Sequence, residues 1–172
     1  MIDALLGPRT RVALLLVVAA IVQAPLVDRL QVNRAHPDLL LLVPVLAGLL
    51  GGPEDGAWVG FFSGLLADLA LPTAFGLSAL VFCLTGYLIG SIVQALIEGP
   101  RWVIPLTAAV GTAIGEALYV GVAVITGQDA VIHEPKAVVT AIVIASVGNA
   151  ILSFPVAVVL RWSIGPAERV PA

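Results

Sequence analysis

One cysteine, two histidines and eight basic residues in 172 positions exclude several kinds of chemistry at once. Cys83 has no mate, so the chain carries neither a disulfide nor a cysteine-built metal site. With only His36 and His133 besides, both in polar connections, a histidine-built metal site is equally poorly supplied. The Lys and Arg residues are scattered singly and the net charge is only -3, which leaves no basic patch for nucleic acid and no polybasic cluster for anionic lipid. No HExxH, no GxSxG and no paired histidines occur, so an intramembrane enzyme lacks its nucleophile, base or metal ligands. The expectation is a protein without catalytic residues and without a cofactor.

What the chain has in abundance is apolar surface. Its residues are 60% hydrophobic and 11% charged, and its mean hydropathy of +1.10 exceeds what a water-soluble core needs. The composition predicts an all-α polytopic membrane protein, a single membrane domain over 1–172 with no soluble domain left over. Divided at Pro, Gly and charge, the apolar runs fall at 12–27, 37–52, 56–72, 74–97, 102–126 and 137–160, a bundle of six transmembrane helices. The last three are long enough for a hydrocarbon core that takes about 20 residues at 1.5 Å each. The second and third reach roughly 24 to 26 Å, so they either cross a thinned bilayer or dip in and return as a broken hairpin around Gly51, Gly52 and Pro53.

Orientation follows from the basic residues near the span ends. With the N-terminus in the cytoplasm, Arg9, Arg11, Arg101, Arg161 and Arg169 lie inside, and Arg29, Arg34 and Lys136 outside. The bias places both termini in the cytoplasm and the segments 28–36 and 127–136 outside. Val22-Gln23-Ala24 has the small-x-small form of a signal cleavage site, but Pro25 and five further apolar runs make the first span a retained anchor. Trp58, Trp102 and Trp162 stand where interfacial aromatics belong.

Within the spans the polar residues and glycines are the informative positions. Gly56, Gly60 and Gly64 follow one another at four-residue spacing and the next step is Asp68. Steps of four drift only about 40° round a helix, so the four positions trace one groove where a partner helix can approach backbone to backbone. Taken alone, Asp68 near the outer end of its run is an interfacial acid whose head reaches water; the ladder turns it toward protein. Gly86 and Gly90, and Gly111 and Gly115, repeat the spacing. Glu116 is costlier, because a charge near mid-membrane costs on the order of 2.5 to 3.5 kcal/mol unless paired or neutral. Thr112 and Tyr119 share its face, and Gln23 or Asn149 from other spans could complete a network. Ser146, Asn149 and Ser153 form a polar stripe on the last span, read as interhelical hydrogen bonding ahead of a proton or solute path. Pro44, Pro105 and Pro155 each permit a kink.

Several of these residues fall in an ordered set. Arg34-Ala-His-Pro37-Asp38 with its leucine run, then Gly60-Phe-Phe-Ser-Gly64-Leu-Leu-Ala-Asp68, then Phe75-Gly76-Leu-Ser-Ala-Leu80 and Tyr87, with the apolar element ending at Gln23 and with Asn149 and Pro155 near the other end, resemble the signature run of the bacterial rod shape-determining protein MreD family. The resemblance covers nearly the whole chain. It implies a multi-pass protein of the bacterial plasma membrane that acts without catalysis, as a scaffold or regulator of lateral peptidoglycan synthesis in the cell-elongation complex. Its implied partners are an MreC-like bitopic protein and, in the wider complex, a RodA-type glycosyltransferase with its class B penicillin-binding protein and the MreB filament. The resemblance also implies a fold similar to the S components of energy-coupling-factor transporters, which keeps a small-solute binding or transport protein as the alternative. Gly56, Gly60, Gly64, Asp68, Phe75 and Gly76 are the expected helix-packing or partner-facing residues. Gln23, Thr112, Glu116, Tyr119, Ser146, Asn149 and Ser153 are the expected polar network, and Pro37, Asp38, Tyr87 and Pro155 are motif positions.

Overall fold

The computed structural model describes residues 7–30, 36–70, 75–96, 102–127 and 135–164, which form six helices: α1 (Pro8–Leu30), α2 (Leu39–Gly51), α3 (Pro53–Ala70), α4 (Leu77–Leu96), α5 (Val103–Ile125) and α6 (Pro135–Ile164). Arg34, Arg101, His133 and Arg169, on which part of the charge bias and of the motif rests, lie outside the described residues, as do the expected span ends at 72, 74 and 97. Three helices open on a proline, at Pro8, Pro53 and Pro135, where the missing N–H would have had no intrahelical acceptor. Reading boundaries at charges therefore starts these helices too late. Arg9, Arg11, Glu54, Asp55 and Lys136 are all helical, since a charge ends an apolar run but not a hydrogen-bond ladder.

The segments read as short do become short helices. α2 has 13 residues and α3 has 18, roughly 20 and 27 Å long, and a single residue separates them. That residue is Gly52, whose φ of 94° lies in the left-handed region, and its N–H closes the last turn on Gly48 O at 3.0 Å. Pro53 then starts α3 in a new direction, so the pair is a helical hairpin.

α2 is the centre of the molecule. Every residue from Leu39 to Gly48 is buried, and the helix packs against each of the other five. A helix apolar on all sides belongs inside, and the other five cover it. Outward they present Phe61, Phe62 and Leu69 on α3, and Val139, Val143, Val147, Ile151 and Val158 on α6, all exposed. α4 over Leu77–Ala95, α5, and α6 over Pro135–Ser163 are long and apolar enough to cross a membrane. The start of α1 meets the end of α6, where the Arg11 guanidinium stands 5.3 Å from the Trp162 ring centroid.

Candidate functional site

In a bilayer, moving a leucine from lipid to protein gains little, so close backbone packing and satisfied polar groups must hold the helices together. The α3–α4 pair supplies the first. A Cβ placed on Gly56 would come within 3.0 Å of the Gly86 backbone, one on Gly60 would meet Phe82 and Cys83, and one on Gly64 would meet Ser78 and Ala79. Each four-residue advance along α3 is matched by a four-residue retreat along α4, the register of two antiparallel helices in backbone contact. Gly90 continues the seam against Gly52 and Pro53. Gly111 and Gly115 admit side chains instead, Val45 and Ile89 at the first, Leu41 and Thr85 at the second. The glycine face of α3 is thus occupied by α4 of the same chain.

Asp68 ends that seam, turned toward the α4 start and not toward water. Asp68 is 4% exposed, and its carboxylate caps the start of α4. Its Oδ2 accepts from Gly76 N at 2.9 Å and Ala79 N at 3.2 Å, and its Oδ1 accepts from Ser78 N at 2.9 Å. Helix starts leave N–H groups without intrahelical acceptors, and in this apolar setting Asp68 serves the three. Gly76 is the hinge of the arrangement, with φ 96°, while Phe75 beside it is 68% exposed.

The start of α2 is held the same way, from three helices. Asp38 Oδ1 accepts from Leu40 N at 2.9 Å and Leu41 N at 3.2 Å. Gln23 of α1 accepts from Leu39 N at 2.9 Å through Oε1 and donates to Pro37 O at 3.2 Å. Asn149 of α6 donates through Nδ2 to Asp38 O and to Thr112 Oγ1 of α5, both at 2.9 Å. Pro37 also fills the notch over Gly148, and Ser63 of α3 donates to Leu40 O. Both acids thus place carboxyl oxygens, which accept hydrogen bonds, at the starts of α2 and α4, where N–H groups lack intrahelical acceptors.

The expected network round Glu116 does not form. Gln23 and Asn149 are committed to the α2 start, Thr112 is bonded to Asn149, and Glu116 has no hydrogen bond or ion pair among the described residues. The last-span stripe also divides: Asn149 alone bonds across helices, Ser153 Oγ turns back to Ala150 O at 2.6 Å, and the buried Ser146 Oγ has no partner. Glu116 instead faces a cavity of about 230 Å³ between the starts of α2 and α4, the second half of α5 and the first half of α6, lined also by His36, Asp38, Ser78 and Tyr119. Tyr87 and Pro155 lie apart from all of this, on exposed faces of α4 and α6.

Two roles were missed from the sequence. An aspartate directly before an apolar run is an N-cap signal, which Asp38 carries plainly. Ser78 gave no such signal, because its place in the cavity depends on α4 lying against α5 and α6.

Among the described residues no cluster of His, Cys, Asp and Glu could hold a metal ion. Comparison with curated proteins and with solved structures returns no match. The family profile of the rod shape-determining protein MreD matches residues 9–163, a stretch that includes the capped starts of α2 and α4 and the seam between α3 and α4. With nearly the whole chain covered, this protein belongs to the MreD family of rod shape-determining membrane proteins.

Proposed function

We propose that the chain is a membrane-embedded scaffold of the bacterial cell-elongation complex, with no catalytic role, that docks an MreC-like bitopic partner and through it supports lateral peptidoglycan synthesis. The wider complex in this reading holds a RodA-type glycosyltransferase, its class B penicillin-binding protein and the MreB filament. In this reading both termini lie in the cytoplasm, and the α2–α3 hairpin, with α2 only 13 residues long, either crosses a thinned bilayer or dips in and returns to the same side. The observation that carries the reading is how the polar residues are used. Within the family match, Asp38, Asp68, Gln23 and Asn149 all serve to fix helix starts, and a rigid, capped bundle is what a scaffold needs. The contact of Arg11 with Trp162 supports an even number of crossings, since it brings the outer ends of the first and last helices together.

Because α4 occupies the glycine face, the partner's helix docks on the outward apolar faces, among them the α3 face of Trp58, Phe61 and Phe62. The test is complementation of a rod-shape deletion strain, paired with co-purification of the MreC-like partner in mild detergent. Wild-type chain restores rod shape and retains the partner. A chain that restores rod shape without retaining any elongation protein refutes the scaffold.

A further inference from the structure

The cavity that holds Glu116 has a chemistry that a scaffold does not require. Its lining includes two acidic residues, Asp38 and Glu116, together with Tyr119, His36 and Ser78, and among the described residues no Lys or Arg lines it. Asp38 engages one oxygen with the α2 amides, which leaves its other oxygen unbonded among the described residues. Glu116 has no partner at all among them. Ser78 is an independent sign, since its residue is 0% exposed and its Oγ, though buried, makes no hydrogen bond. A buried hydroxyl of this kind is ordinarily paired, so an unpartnered Ser78 in the lining of the same cavity as the unpartnered Glu116 marks space for something that donates hydrogen bonds.

The wall chemistry narrows the class. Among the described residues an anion finds no Lys or Arg in the lining, and the helix-start amides that would receive one are already taken by Asp38, Asp68 and Gln23. A bare metal ion is disfavoured because the acids and His36 do not converge on one point. A protonated primary amine fits: it carries three donors and one positive charge, and it can bridge acceptors that are spread over a wall. A volume of about 230 Å³ takes a small head group and not an extended molecule.

We infer that the cavity between the starts of α2 and α4, the second half of α5 and the first half of α6 binds a primary ammonium group, with Glu116 as its counter-ion and Ser78 and Asp38 as further acceptors. The amine comes either from an ethanolamine lipid headgroup or from a small soluble amine.

The experiment uses the full-length chain in nanodiscs of phosphatidylcholine alone, or with phosphatidylethanolamine or phosphatidylglycerol added, and counts retained lipids by native mass spectrometry. A parallel arm follows the melting temperature in detergent with ethanolamine or choline. In the lipid case, phosphatidylethanolamine is retained about tenfold over the other two lipids. In the soluble case, ethanolamine raises the melting temperature and choline, which has no N–H donor, does not. Glu116→Gln abolishes either preference while keeping its helical circular dichroism, and Glu54→Gln, an exposed acid at the start of α3, preserves it. Should Glu116→Gln fail to fold, the wild-type contrasts between ethanolamine and choline compounds still decide. Equal retention of all three lipids together with no ethanolamine effect overturns the assignment, as does an unchanged preference in folded Glu116→Gln.

Discussion

Asp38 and Asp68 perform one task at two helix starts, and the difference between them shows what a sequence reveals at the scale of single residues. Asp38 caps amides two and three positions ahead, a local pattern readable from the order of residues alone. Asp68 reaches amides eight to eleven positions on, across the α3–α4 turn, which no periodicity encodes. Asn149 lies 111 residues from Asp38 and is equally invisible. Removing a side-chain cap costs typically ~1 kcal/mol and up to ~2, and Asp68 is buried with three donors relying on it. Asp68→Ala is therefore expected to lose about 2 kcal/mol of stability. Asp68→Asn falls between, because one of its two oxygens is replaced by a donor facing donors. Thermal unfolding in detergent decides, and an Asp68→Ala protein that melts with the wild type would remove the cap from the account. Glu116 behaves oppositely. With no protein partner to orphan, Glu116→Leu is expected to fold and to melt no lower than wild type in the absence of amine, whereas Asn149→Leu, which strands Thr112 and the Asp38 carbonyl, loses about 1 to 3 kcal/mol.

At the scale of elements, the glycine spacing identified a helix groove but not what fills it. The same four-residue rule describes Gly56, Gly60 and Gly64, which meet backbone, and Gly111 and Gly115, which meet side chains. Only the register of the neighbouring helix separates the two cases. The position of α2 was equally hidden, since a short apolar run reads alike whether it sits at the edge of a bundle or in its middle. The expected consequence is a graded series. Gly60→Ala and Gly64→Ala force α3 and α4 apart, because the new methyl meets fixed backbone, and Gly64→Leu yields no folded protein. Gly111→Ala and Gly115→Ala meet movable side chains and cost less. Gly121→Ala, on an open face of α5 with nothing within 4 Å, gains about 0.5 to 1 kcal/mol from helix propensity. Monodisperse yield on size exclusion ranks the six, and a well-folded Gly64→Leu would mean that the seam is looser than a backbone contact.

At the scale of the whole molecule, the starts of α2 and α4, the cavity and the Glu116 region share one end of the bundle, and the start of α1, the α2–α3 turn and the end of α6 share the other. The basic residues Arg9, Arg11 and Arg161 are all at this second end, which the proposed topology puts on the cytoplasmic side. In the proposed topology the cavity opens from the outer half of the membrane. Single cysteines in a Cys83→Ala background test this directly, at exposed positions on either end. Gly127→Cys and Lys136→Cys, at the end of α5 and the start of α6, are expected to react with an impermeant maleimide in intact cells. Glu54→Cys and Arg9→Cys, at the starts of α3 and α1, are expected to react only after the cells are opened. If the second pair reacts in intact cells and the first does not, the bundle is inverted and the cavity faces the cytoplasm. If all four react in intact cells, the helices between them do not cross.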